Sequence, residues 1–347
     1  MPAPPDTGPR DGEFPAGNGM RVVTLGTGGG PVVSQGRAGI STLVTVDGAA
    51  YVVDCGMGSV RNYRAAAGWE QLRAVFLTHL HSDHIYDLGA FLVTGWQVPG
   101  ESFARPVEVV GPAAPSRFPA EDDARAQRID AVCGNRKPSG TQDVVAALLE
   151  GVYGPDVAVR MADEGRSAPE EWIRPRDIAI PEHAGADPVT CRHPPVEPFE
   201  VYADDLVRVT ATLVDHRLCY PAFAFRFDSA HGSVVISGDT AVSGNLIALA
   251  RGADLLVHEV IDLDAMLATL PAGPKREGIA RHLRESHTPH TAVGGVARQA
   301  EVRRLVLSHV VPNHLDAVDP RRLVATARET FPGPVAVARD LDTFEVR

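Results

Sequence analysis

The chain has 347 residues, of which 44% are hydrophobic and 22% are charged, so it is long enough to bury a large core. Its 33 basic and 44 acidic residues give a net charge of −11, which argues against a broad basic surface for nucleic acid. The four cysteines lack C-x-x-C spacing and no apolar run reaches the roughly 18 residues of a membrane span, so neither a disulfide scaffold nor a membrane partner is expected.

The first 19 residues are rich in proline and glycine and predict a disordered tail, followed by a single domain over residues 20–347. Because they also lack an apolar signal segment, we expect a cytoplasmic protein. Residues 20–31 predict a strand ending in a glycine-rich turn. The next segment looks extended, so these glycines do not open the helix that a dinucleotide site requires.

The rest of the chain alternates strands with helices. Two strands are predicted over 40–56, a helix over 59–69, a strand over 72–80 and a helix after 81. Residues 97–200 are the least regular part, with a helix near 141–151 and a strand near 155–160, and are expected to wall a pocket. Later segments predict strands over 206–216, 221–228, 233–239, 254–260 and 303–312, helices over 245–253 and 290–301, a polar loop before residue 290, and a final helix and strand. This pattern predicts sheets packed together with helices outside.

The strand over 72–80 runs into His79-Leu80-His81-Ser82-Asp83-His84, which holds four metal-binding side chains within six positions. Strand alternation sends His79 and His81 to one side, and the loop then offers Asp83 and His84. Imidazole and carboxylate are ligands that suit zinc. The run therefore predicts a metal site, in which one ion can use the first pair of side chains and a second ion the second pair.

Three further candidate ligands stand at the carboxyl ends of apolar strands: His216, Asp239 and His309. Each of them alone is more often a structural residue. Together with the H-x-H-x-D-H run they form a consistent set, because the carboxyl ends of strands are where α/β sheets build their sites.

HLHSDH at 79–84, followed in order by VDH, SGDT, HEV and LSH, resembles the metallo-β-lactamase superfamily of metal hydrolases. LGTGGGP at 25–31 and HTPHTAVGG at 287–295 bring it closer to the ribonuclease Z-like branch, with its arylsulfatase and phosphodiesterase members. The resemblance implies an α/β fold, a four-layer αββα sandwich of two mixed sheets. It also implies two zinc ions, although manganese or iron could take the same ligands.

The resemblance further implies a role for each residue. One ion would be held by His79, His81 and His216, the other by Asp83, His84 and His309, and Asp239 would bridge the two. Asp54 would support the metal loop. His287, oriented by Glu259, is the expected general acid in preference to His290, and Asp83 could also accept a proton. Cys219 lies three residues after His216 and could be a soft extra ligand, although an inert buried thiol is the expectation.

The predicted function is that of a dinuclear metal-dependent hydrolase, in which a hydroxide between the ions attacks a phosphodiester, a sulfate ester or a related small-molecule ester. The alternative is a tRNA 3′-end endoribonuclease, for which residues 134–140 provide one small basic patch, Arg136 and Lys137. A lactonase or other acyl hydrolase, and a metal-binding scaffold without activity, also stay open. A homodimer is possible.

Overall fold

Two seven-stranded sheets face each other in the computed structural model, which describes residues 17–97, 100, 102–134, 136–273, 275–314 and 318–346. Residues 1–16 of the predicted tail lie outside this range. The first sheet has the strand order β14-β1-β2-β3-β4-β5-β6. Its strands are β1 Met20–Gly26, β2 Ser41–Val46, β3 Ala49–Val53, β4 Leu72–Phe76, β5 Val107–Pro112, β6 Ile173–Ile178 and β14 Thr343–Val346.

The second sheet has the order β13-β12-β11-β10-β9-β8-β7. Its strands are β7 Phe199–Ala203, β8 Val207–Leu213, β9 Phe223–Ser229, β10 Gly232–Ile236, β11 Leu255–Ile261, β12 Leu305–Val311 and β13 Val335–Val337. Pairing is antiparallel from β14 to β3 and from β7 to β10, and parallel from β3 to β6 and from β10 to β13. The two sheets therefore follow the same mixed plan, and the parallel half of each one collects the carboxyl ends of its strands at one edge.

Helices cover the outer face of each sheet, which confirms the predicted four-layer sandwich. The helices are α1 Ser59–Ala66, α2 Ser82–Ile85, α3 Leu88–Gln97, α4 Asp123–Cys133, α5 Thr141–Ala146, α6 Gly154–Glu164, α7 Gly244–Leu249, α8 Leu263–Thr269, α9 Arg276–Ser286, α10 His290–Gln299 and α11 Pro320–Arg328. None of these, within the described residues, is long and apolar enough to cross a membrane.

The sheets share one core. Phe76 of β4 packs between Phe225 and Phe227 of β9, with ring centroids 5.5 and 5.2 Å apart. Phe91 of α3 packs on the outer face of the first sheet, and Val293 of α10 on the outer face of the second. Side chains from both sheets therefore meet in one core.

Three sequence predictions about local structure are wrong. Residues 155–160 are helical, because Pro155 stands in the first turn of α6, where its fixed φ favours a helix. The expected polar loop before residue 290 contains α8 and α9, and Asp262 caps α8 by accepting a hydrogen bond from the Ala265 N–H. The expected final strand is two strands in different sheets, because Asp342 ties the Arg339 N–H into a turn between them.

Candidate metal centre

The H-x-H-x-D-H run leaves β4, crosses the edge of the first sheet and becomes α2. Asp54, at the end of the neighbouring β3, holds it in place. One Asp54 carboxylate oxygen accepts a hydrogen bond from the Thr78 N–H, and the other accepts one from the Thr78 hydroxyl and lies 2.8 Å from Nδ1 of His84. These contacts leave Nε2 of His84 free to face the site. The expected supporting role of Asp54 agrees with them.

Four predicted ligands form a first donor set, made of His79, His81, His216 and Asp239. His81 Nδ1 lies 3.1 Å from His79 Nε2 and 3.2 Å from His216 Nε2. Asp239 Oδ2 lies 3.9 Å from His79 Nε2 and 3.8 Å from His216 Nε2. All four side chains thus point at one region.

The second donor set consists of Asp83, His84, His309 and again Asp239. Asp83 Oδ2 lies 3.7 Å from Nε2 of both His84 and His309. Asp239 reaches this set with both oxygens, Oδ1 at 3.2 Å from His309 Nε2 and Oδ2 at 3.4 Å from His84 Nε2. Asp239 therefore lies between the two sets, as a bridging ligand must.

These separations fit metal ions. With bonds of about 2.1 Å, donors around one tetrahedral ion lie about 3.4 Å apart, close to the spacing in both sets. His84 Nε2, His309 Nε2 and Asp239 Oδ1 are buried and lack a hydrogen-bond partner among the described residues. Because buried polar atoms without partners are costly, donor atoms left in this state are best explained as ligand positions.

A distortion of β12 brings His309 into the site. Glu259 of β11 pairs with Ser308 of β12, whereas the next residue, Val260, pairs with Val310. His309 is therefore the extra residue of a β-bulge, and its φ is 44°. Gly29 allows the close approach of this imidazole, since a Cβ there would lie 2.6 Å from the ring. The glycine-rich turn thus makes room for a site residue.

Burial and charge act in opposite directions on the site carboxylate and imidazoles. Burial lowers the pKa of His79 and His216 well below the usual range, which favours the neutral form that binds a metal. Burial alone would raise the pKa of Asp239, but the imidazoles of His309 and His84 hold it well below its ordinary value. The bridging position therefore carries a carboxylate.

Beside the two donor sets lies the pair predicted as acid and orienting residue. His287 Nδ1 is 3.0 Å from Glu259 Oε1, an oxygen that also accepts hydrogen bonds from the Thr240 and Thr288 N–H groups. Burial lowers the pKa of His287, but the Glu259 carboxylate outweighs it and raises the pKa to about 9. His290 is buried at the start of α10 and belongs to none of the metal-binding groups formed by the described residues.

A cavity of about 350 Å³ opens in front of the metal centre and exposes His287, Asp83 and Asp239. Much of its wall is apolar, formed by Val32, Met266, Ile279, Leu283 and Val311. None of the described residues of 97–200 lines it. Several of them, such as Phe118 and Pro138, instead line a neighbouring side cavity that shares His81 with it.

The sequence analysis did not predict α8 and α9, which contribute Met266, Ile279 and Leu283 to the wall of the metal-site cavity. It also did not predict a role for His282 on α9. A signal was present in the amphipathic spacing of Ala280 and Leu283, which are buried on one face of α9. His282 lies beside the centre, with its ring centroid 6.2 Å from those of His216 and His287, and burial lowers its pKa to about 4.

Comparison with known proteins agrees with this fold. The family described as the Metallo-beta-lactamase superfamily matches residues 35–102. Ribonuclease Z of Mycobacterium bovis (strain BCG / Pasteur 1173P2) is 32% identical over 338 residues, covering 94% of this chain and 98% of the relative. Ribonuclease Z of Mycobacterium sp. (strain KMS) is 34% identical over 336 residues, covering 94% and 96%.

Solved structures share the fold at lower identity. The metallo-β-lactamase fold protein YhfI of Bacillus subtilis gives a TM-score of 0.59 at 18% identity, covering 94% of this chain and 100% of that one. The short form of human tRNase Z gives 0.56 at 18% identity, covering 94% and 99%. The chain belongs to the metallo-β-lactamase superfamily of hydrolases, within its ribonuclease Z-like branch.

Proposed function

We propose that the protein is a dinuclear metal-dependent endoribonuclease that cleaves the phosphodiester at the 3′ end of precursor tRNA. The observation that carries the proposal is the convergence of two donor sets on Asp239, with the His287–Glu259 pair beside them. The relatives named Ribonuclease Z favour RNA over the sulfate esters and other small esters predicted first, and the structural neighbour named human tRNase Z favours tRNA among RNA substrates.

The metal ligands in this proposal are His79, His81, Asp83, His84, His216, Asp239 and His309. Zinc suits their mixture of imidazole and carboxylate donors. The chemistry that a pair of such ions supplies is a water of lowered pKa and a polarised phosphodiester.

The protein residues add proton transfer and orientation to that chemistry. His287 donates a proton to the leaving oxygen, because its raised pKa keeps it protonated at neutral pH. Glu259 binds Nδ1 of His287 and so leaves Nε2 for the substrate. Asp83, a carboxylate in the cavity wall, serves as ligand and as acceptor of a proton from water.

RNA binding draws support from the loop between α4 and α5. Arg136 and Lys137 are exposed there, and neither side chain is paired with an acidic group among the described residues. The next two residues, Pro138 and Ser139, line the side cavity that shares His81 with the metal centre. Two exposed cations, adjacent in sequence to residues of this side cavity, would attract an RNA backbone without a broad basic surface.

The direct test is cleavage of a precursor tRNA that carries a 3′ trailer, by protein loaded with zinc. We expect a single cut at the end of the acceptor stem, which is lost in Asp239→Ala. The double variant R136A/K137A should raise KM for the RNA and flatten its salt dependence, while hydrolysis of bis(p-nitrophenyl) phosphate stays unchanged. Intact precursor tRNA, from protein that hydrolyses bis(p-nitrophenyl) phosphate, would contradict the proposal.

A small apolar ester is the second candidate substrate, and the apolar wall of the metal-site cavity favours it. Leu283→Asn would make this wall polar. If the substrate is a small apolar ester, this change should raise KM for p-nitrophenyl esters at least about tenfold. If the substrate is tRNA, it should leave KM for the RNA within about twofold.

A further inference from the structure

Cys219 is not accounted for by the function proposed above. It ends a tight turn after His216, where its backbone N–H donates a 2.9 Å hydrogen bond to the His216 carbonyl. Its Sγ joins one donor atom each from His79, His81 and His216 in a group whose members all lie within 4.8 Å of one another. The turn therefore brings a thiol to the three imidazoles of the first donor set.

The surroundings of Cys219 differ from those of an inert core thiol. Cys55 shows the inert case, because it is fully buried and packs within the hydrophobic core of the first sheet. Cys219 belongs to none of the hydrophobic clusters formed by the described residues. It lines the side cavity together with His81 and Tyr220, and its sulfur also lies close to the three histidines.

In the first donor set, the fourth ligand Asp239 lies farther from the histidine nitrogens than these nitrogens lie from one another. His81 Nδ1 lies 3.1 Å from His79 Nε2 and 3.2 Å from His216 Nε2. Asp239 Oδ2 lies farther away, at 3.9 Å from His79 Nε2 and 3.8 Å from His216 Nε2. Asp239 is thus shared and lies closer to the second set. A thiolate with three imidazoles is a donor set that zinc binds well.

We propose that Cys219 is a ligand of the metal ion bound by His79, His81 and His216. This inference rests on the metal centre of the proposed function. On binding, the S–H bond breaks, a sulfur–metal bond forms and the proton passes to solvent, with no change in oxidation state. A sulfur ligand makes this position softer than the second one, so the first site should discriminate against manganese.

Cobalt(II) in place of zinc tests the proposal, because a thiolate ligand gives cobalt a strong charge-transfer band in the near ultraviolet. We expect this band in the wild type and in Cys133→Ser, a matched control outside the cluster, and its loss in Cys219→Ser. Affinity for the first cobalt ion should also fall at least about tenfold in Cys219→Ser. X-ray absorption of zinc-loaded wild type, which needs no variant, should show a sulfur neighbour at about 2.3 Å.

Absence of the charge-transfer band and of the sulfur neighbour would overturn the inference, as would an identical band in Cys219→Ser. The proposed function is tested by other observations. Visible cobalt bands from the remaining ligands, together with cleavage of precursor tRNA, would leave it standing even when Cys219 does not bind the metal. Binding of only one ion would overturn the dinuclear function alone, and failure to bind any ion would overturn both.

Discussion

The substitution Glu259→Gln tests the proton donor of the proposed reaction. Glu259 contributes one charge beside His287, and its Oε1 accepts from the Thr240 and Thr288 N–H groups. Glutamine keeps an oxygen that can accept the same hydrogen bonds, so the fold should persist. What changes is the charge that raises the pKa of His287.

The size of the effect follows from that pKa. With Glu259 present the pKa of His287 is about 9, and without the charge it should fall towards the ordinary 6.5. At pH 8 the protonated fraction then falls from about 90% to about 3%, a loss of about 30-fold in the active acid form. At pH 6 His287 is mostly protonated in both the wild type and Glu259→Gln, and the loss of activity shrinks to less than about twofold. In the wild type, activity should decline as the pH rises through about 9.

The assay is kcat for precursor tRNA between pH 6 and 10, with bis(p-nitrophenyl) phosphate as a second substrate. Because p-nitrophenolate leaves without a proton, Glu259→Gln should lower its hydrolysis much less than cleavage of RNA. Glu329→Gln, an exposed glutamate after α11, is the matched control. A loss of equal size at pH 6 and pH 8, or of equal size for both substrates, would refute the role of His287 as acid.

Three other predictions concern metal content and stability. Asp239→Ala should bind fewer than one metal ion per chain by elemental analysis yet keep its circular dichroism, and retention of two ions would argue against a bridge. Chelation should abolish RNA cleavage and added zinc should restore it; activity that survives full removal of metal would contradict a metal hydrolase. Asp204→Ala should lower the free energy of unfolding, measured in urea, by about 2–4 kcal/mol. It removes the hydrogen-bond acceptor of the hydroxyls of buried Tyr51 and half-buried Tyr202. The control Asp205→Ala, at an exposed residue, should lower it by less than about 1 kcal/mol.

The sequence was most informative where chemistry is contiguous in the chain. The H-x-H-x-D-H run needs no tertiary information, because strand alternation and one turn already direct His79 and His81 to one side and Asp83 and His84 to the next position. The strand-end positions of His216 and Asp239 were readable for a related reason, since apolar strands show where their polar ends must fall. Packed sheets with outer helices followed from the alternation of strands and helices, and the family resemblance implied that the sheets were two and mixed.

Tertiary structure alone decided how these pieces meet. No local pattern marks His309 as the extra residue of a bulge, because a bulge exists only relative to the neighbouring strand. The helices α8 and α9 were missed because their many polar residues outweighed the apolar spacing of Ala280 and Leu283, which the packing of α9 then showed to be its buried face. Likewise the sequence offered Cys219 only as a minor alternative ligand, and the fold then placed its sulfur beside imidazoles that lie 140 and 138 positions earlier in the chain. Local sequence determines which groups are available, and long-range packing decides which of them come within bonding distance.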